Sequence, residues 1–343
     1  MLELEPFSVE LASPLATAAG TLDRREGFLV SVEYDGQHGV GEATPLPGWT
    51  ESHDECRAAL SRAAEIAEEL DWGIALAKTE QPAARHGLSL ALAEARARHA
   101  DRPLYRYLGD DRFIPSVPVN ATIGDRPLDG TVESAAAAVA EGFDCLKLKV
   151  GARSVEEDIE RLRAVRERVG DGTELRADAN GAWTLDQAER AFDAFGDIDV
   201  SYVEQPLPAA NLADHTRLRG GPVDVALDEA LTEYSVDDIL AEFAADVLVI
   251  KPMVVGGPDR AREIALTARE VGVDPIVSTT VDAVVGRTGA VHLAASIPDV
   301  RACGLATATL LAEDLSPDPA PVTDGAIEVP QGKGLGLPDR PRN

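Results

Sequence analysis

Lysine is almost missing from this chain. Among 343 residues only Lys78, Lys147, Lys149, Lys251 and Lys333 occur, and arginine supplies the rest of the positive charge. Acidic side chains outnumber basic ones by 60 to 32, and the resulting net charge of −28 is spread along the whole chain instead of collecting in a tail. Such a surface repels polyanions, so neither nucleic acid nor an anionic membrane is expected as a partner; the composition resembles that of halophilic proteins. Long hydrophobic runs are missing too. No stretch of about 18 apolar residues occurs, so no membrane-spanning helix is expected. The start, MLELEPFSVELASPL, has neither the basic residues nor the apolar stretch of a signal peptide, which leads to the expectation of a cytoplasmic protein. Cysteine is scarce: Cys56, Cys145 and Cys303 are odd in number and lack C-x-x-C spacing, so neither a disulfide framework nor a zinc site is indicated. The six histidines form no H-x-H or H-x-x-x-H set, and the glycine-bearing segments GQHGVGE (36–42) and VVGGP (254–258) lack the lysine of a phosphate loop, so they read as turns.

What is present is a repeat of short β-rich runs and amphipathic helical stretches, the signature of successive βα units. Eight strands are predicted, at 117–123, 145–150, 174–180, 202–207, 224–229, 246–251, 274–279 and 303–306. Between them, segments such as VEEDIERLRAVRERVG carry apolar residues at helical spacing and end in glycine. A closed parallel (β/α)8-type barrel over 113–306 follows most simply. Residues 1–112 instead combine alternating runs such as FLVSVEYDG with alanine-rich amphipathic helices, which predicts an α+β capping domain. The segment 307–343 has strand and turn character and is expected to return to that cap.

Asp178, Glu204, Asp228 and Lys251 fall at the C-terminal ends of four successive predicted strands, 26, 24 and 23 residues apart. Active sites of such barrels are built at that rim. Three carboxylates converging there repel one another unless a cation lies among them, and hard oxygen ligands favour Mg²⁺, with Mn²⁺ as a substitute. Any one of these acids could simply cap the following helix, but three in register with the lysines make a set. Glu229, next to Asp228, is predicted on the opposite strand face and is not counted among the ligands. Lys147 and Lys149 share one face of their strand, and burying two ammonium groups together is expected to lower the pKa of at least one, as a general base near neutral pH requires. Lys251 would enter from across the barrel, placing a substrate between opposed lysines.

Lys-x-Lys followed by Asp, Glu, Asp and Lys on successive strands resembles the muconate-lactonizing subgroup of the enolase superfamily. Within it, GEATPLPG (41–48), RADANGAW (176–183), IKPMVVGG (250–257) and STTVDAVVG (278–286) are most similar to the o-succinylbenzoate synthase family. The resemblance implies a modified (β/α)7β barrel with a cap built from both ends of the chain, and a lysine base acting beside Mg²⁺. It implies dehydration of a small-molecule dicarboxylate, with Asp178, Glu204 and Asp228 on the metal, Lys149 as base, Lys147 beside it and Lys251 as a cation on the other face. Arg176 and Asn180 would orient these groups, Ser278 and Thr279 would meet a substrate carboxylate, and cap loops near 14–25 and 45–50 would close over the succinyl group. N-succinylamino acid racemase and dipeptide epimerase use the same constellation and stay open as alternatives, as does, more remotely, a barrel that binds without catalysis. Oligomeric state is not readable from the residues.

Overall fold

A computed structural model describes residues 1–17, 20–109 and 111–337. The chain opens with a three-stranded antiparallel sheet in the order β1 (Leu2–Thr17), β2 (Gly20–Tyr34) and β3 (Gln37–Ala43). Four helices follow: α1 (His53–Glu69), α2 (Trp72–Lys78), α3 (Pro82–His99) and α4 (Leu104–Leu108). Ser52 and Glu55 form a reciprocal capping box that starts α1, satisfying two of the backbone N–H groups a helix start leaves free. α3 has apolar residues and alanines on nearly every side and is buried over most of its length, because it packs against β3 and also touches the second lobe. These elements make the cap.

The second lobe begins with β4 (Ser116–Pro118) and β5 (Ala121–Ile123), then α5 (Leu128–Ala140), β6 (Cys145–Lys149), α6 (Val155–Val169), β7 (Glu174–Asp178), α7 (Leu185–Gly196), β8 (Val200–Glu204) and α8 (Leu212–Leu218). It continues through β9 (Asp224–Leu227), α9 (Val236–Ala241), β10 (Val247–Ile250), α10 (Pro252–Val255), α11 (Pro258–Glu270), β11 (Asp274–Val277) and α12 (Val284–Ser296), and ends in β12 (Val322–Thr323) and β13 (Ala326–Glu328). β5 to β11 form one parallel sheet in sequence order, the expected barrel wall. Capping boxes at Ser154, Thr184 and Ser235 start three of its helices. The period-two alternation of each strand divides its side chains. Leu146, Leu148, Leu175, Ala177, Val203 and Val225 join the helices in one large core, while Tyr202, Ala226, Val247, Val249 and Ile276 form a separate cluster inside the barrel. Among the described residues, no helix is long and apolar enough to cross a membrane.

Two expectations about the strands are corrected. The predicted strand 117–123 is split: β4 pairs antiparallel with β13, and only β5 joins the barrel sheet. The predicted eighth strand, 303–306, is reduced to two single bridges, Cys303 to Val119 and Gly304 to Ser278. Those bridges still connect the two ends of the sheet, so the wall closes as seven strands and a stave. The tail divides its contacts. β13 pairs with β4 and β12 with β13, whereas Leu311 bridges Leu11 and Leu335 packs with Leu29 and Leu90 of the cap; residues 338–343 lie outside the described residues.

Candidate active site

The inward face of each strand carries its polar residue to the C-terminal rim. Lys149 ends β6, and its Nζ lies 2.7 Å from Asp178 Oδ2 on β7 and 2.7 Å from Asn180 Oδ1. Lys147, one pleat deeper, donates to both Glu204 oxygens at 3.0 Å and reaches Asp178 Oδ2 at 3.2 Å. Lys251 donates to Asp228 Oδ2 at 2.6 Å, and its Nζ stands 3.7 Å from the centre of the Trp49 ring, which the cap supplies. All three acids are buried, and β7, β8 and β9 set them in a row flanked by the lysines of β6 and of the turn after β10.

Burial and charge work against each other in this row. Burial, reinforced by the Asp178 carboxylate, pushes Glu204 up to about 7 in spite of Lys147. Burial likewise raises Asp228 to about 6, with Lys251 opposing and Glu229 adding to the rise. At Asp178 burial is outweighed by the ammonium groups of Lys147 and Lys149, which hold it well below the ordinary carboxylate value. Lys147 does not show the depression expected from pairing two lysines: burial disfavours its charge, but Glu204 and Asp178 more than compensate and hold it well above its ordinary value. Among the described residues, no group of three or more His, Cys, Asp or Glu side chains is drawn together closely enough to hold a metal as it stands; ammonium groups are interleaved with the acids.

Asn180 is brought into this set. It takes a positive φ of 44°, accepts from Lys149 and donates to Glu229 Oε1 at 2.9 Å. Glu229 is therefore at the site and not on an opposite face. β9 ends at Leu227, Asp228 leaves the extended conformation, and a 3-10 turn over Glu229–Thr232 breaks the strand alternation that the sequence reading assumed. Arg176 is not brought to the acids. Its guanidinium turns toward the opposite end of the barrel, where it pairs with Glu174, bonds the Ala302 carbonyl and lies over the Tyr202 ring. Ser278 and Thr279 bond the returning chain, at the Gly304 carbonyl and the Thr307 hydroxyl.

Sequence reasoning assigned no role to Arg25 or to Trp49, although both lie in the cap segments expected to close the site; residues 18 and 19 of those segments lie outside the described residues. Arg25 is buried and donates to the carbonyls of Thr44, Pro45 and Val281, tying the loop that carries Trp49 to the segment between β11 and α12. Their partners are distant in sequence, which hid them.

Residues 130–340 match the family model described as enolase C-terminal domain-like, and residues 2–95 match that of the MenC N-terminal domain. The chain is 37% identical to an o-succinylbenzoate synthase of Thermobifida fusca over 221 residues, 62% of this chain and 67% of the relative. It is 28% identical to an L-Ala-D/L-Glu epimerase of Bacillus subtilis across 98% of this chain and 95% of the relative. A substrate-liganded structure of that epimerase superposes with a TM-score of 0.87, covering 98% of this chain and 97% of the other at 27% identity. A dipeptide epimerase from Enterococcus faecalis, solved with Mg and the dipeptide L-Leu-L-Tyr, superposes with a TM-score of 0.84 at 25% identity and covers 98% of both chains.

Proposed function

Since the chain belongs to the enolase superfamily, we propose that it is an o-succinylbenzoate synthase, which dehydrates 2-succinyl-6-hydroxy-2,4-cyclohexadiene-1-carboxylate to o-succinylbenzoate on the way to menaquinone. The observation that carries this reading is the asymmetry of the two outer lysines. Each has a carboxylate partner, Asp178 for Lys149 and Asp228 for Lys251, but the second partner differs: Lys149 has the neutral Asn180 amide, whereas Lys251 lies against the face of Trp49, which favours an ammonium cation. Dehydration needs one base and one cation on opposite faces. The 37% identity with the Thermobifida synthase supports the same choice.

The donor set fits a hard divalent cation. Its members are carboxylates, and Asp228 Oδ1 and Glu229 Oε2 are buried with no hydrogen-bond partner. Asp178, Glu204 and Asp228 would hold Mg²⁺ or Mn²⁺, in keeping with the Mg of the dipeptide epimerase structure. When bound, the metal supplies positive charge to the substrate carboxylate as negative charge builds there. Neutral Lys149 takes the proton from the carbon next to that carboxylate, and the C–H electron pair moves onto the carboxylate oxygens, from which it returns to form a ring double bond as the hydroxyl leaves. The ring hydroxyl then departs with the proton that Lys149 returns to it, leaving as water and making the ring aromatic. Asn180 keeps Lys149 directed along this face. Lys147 stays charged between Glu204 and Asp178, and Lys251 places its charge over the other face of the ring.

A second reading, racemisation or epimerisation of N-succinyl amino acids or dipeptides, is favoured by the likeness to the epimerases across nearly the whole chain. It needs Lys251 as a second base. Purified protein should dehydrate the cyclohexadiene substrate, lose turnover in EDTA and regain it with Mg²⁺. Lys149→Ala should remove dehydration, whereas Lys251→Arg should keep a measurable part of it because a guanidinium preserves the charge but cannot act as a base near neutral pH. Efficient racemisation with no dehydration would defeat the proposal in favour of the second reading.

A further inference from the structure

Lys251 is held differently from the other site lysines. Lys147 and Lys149 are strand residues of β6, between β5 and β7. Lys251 follows β10 and stands at the N-cap of α10, a helix of a single turn. The cap grips that turn. Met253 is fully buried among Phe28, Val30, Ala84, Leu88 and Ala91, the one barrel residue among the described members of that cap cluster, and its sulfur accepts from the Thr44 backbone N–H at 3.4 Å. Just downstream, Arg85 of α3 donates to the Gly256 carbonyl and makes a two-point pair with Asp259 at 3.0 and 2.7 Å, while the Ser89 hydroxyl donates to Asp259 at 2.6 Å. Gly257, at a φ of 137°, lets the turn lie against α3: a Cβ there would come within 2.7 Å of the Ser89 side chain. The glycines of VVGGP thus serve neither a phosphate nor a free surface turn but a docking contact with the cap.

We infer that Arg85 and Met253 are positioning residues that seat Lys251, so that the docking of the cap sets where this ammonium group stands relative to Asp228 and Trp49. The use made of Lys251 rests on the function proposed above; its seating does not. With only five lysines in the chain, protein labelled with carbon-13 at lysine Cε gives five signals, each assignable by a single Lys→Arg substitution. The Trp49 ring face should displace the Lys251 signal upfield of that of exposed Lys78. Arg85→Met and Met253→Ala should move the Lys251 signal toward that of Lys78, leave the signals of Lys147 and Lys149 in place, and lower kcat by about 10- to 100-fold. Arg85→Lys and Met253→Leu, which preserve charge or volume and so the fold, should move it partway. A Lys251 signal unchanged in the folded variants, equal movement at Lys147 and Lys149, or an unchanged kcat beside a moved signal would each overturn the inference. If the Lys251 signal moves as expected but wild-type protein does not dehydrate the cyclohexadiene, the seating stands and the proposed reaction falls.

Discussion

Glu42 has no solvent to face. It lies at the seam between cap and barrel, accepting from the backbone N–H groups of Ala283 and Gly286 at the start of α12 and from the Thr44 hydroxyl. Those bonds favour the carboxylate, but burial and then the neighbouring Asp282 outweigh them and push the group up from 4.5 to about 7. Between those two values the folded chain holds a proton that the unfolded chain has already lost. Stability contributed by Glu42 is therefore present below pH 4.5 and is lost as pH rises through about 7. Urea unfolding of wild type and Glu42→Gln across that range should show wild type losing ground to the variant as pH rises; parallel curves would remove Glu42 as the source. Glu42 stands inside GEATPLPG, yet the sequence assigned it nothing, because its partners lie 241 and 244 residues away. The barrel acids were legible for the opposite reason. A strand-end carboxylate recurring once per βα unit is a local pattern, and Asp178, Glu204 and Asp228 follow it.

At the scale of elements, legibility follows how regular the backbone is. Every strand from β6 to β11 was readable from apolar runs, and all lie within their predicted spans except β8, which starts two residues early, at Val200. Glu229 was misplaced because strand alternation was extended past the last strand residue, into a 3-10 turn that no periodicity announces. Gly39 and Gly41, read from GQHGVGE as turn glycines, belong to β3, and only Gly36 before them takes a turn conformation, at a φ of 75°. Their function is close packing. A Cβ on Gly41 would lie 2.0 Å from the Gly87 carbonyl and 2.8 Å from the Ala91 nitrogen of α3, so backbone meets backbone with no side chain able to yield. Gly41→Ala should therefore force β3 away from α3 and destabilise the protein by about 1–3 kcal/mol or more, measured as a lower urea midpoint. Gly36→Ala, with nothing near its Cβ, is the control for backbone strain alone. An equal loss in both variants would refute the packing account.

For the whole molecule, the distribution of cations matters more than their number. Three of the five lysines, Lys147, Lys149 and Lys251, stand among the buried acids, and the other two, Lys78 and Lys333, are exposed. The rest of the positive charge in a chain of net charge −28 comes from arginines, and some of these are buried and committed, such as Arg25 to backbone carbonyls and Arg287 to Asp314 and Asp318. Unpaired surface carboxylates repel one another over the Debye length, which is about 10 Å at 0.1 M salt and about 3 Å at 1 M. Folding brings those charges closer than the unfolded chain does, so repulsion weighs on the folded state most in dilute buffer. The ion pairs of the site respond less, because buried charges are poorly screened. We therefore expect the melting temperature to rise steeply as KCl is raised from dilute to molar concentration. NaCl should act like KCl if screening is the cause. The dianionic substrate of the proposed reaction would meet the same repulsion on approach, so its kcat/KM should rise over the first few hundred millimolar of salt while the melting temperature is still climbing. A melting temperature indifferent to KCl between dilute and molar solution would mean that the acidic surface is not tuned to salt, whatever the site beneath it does.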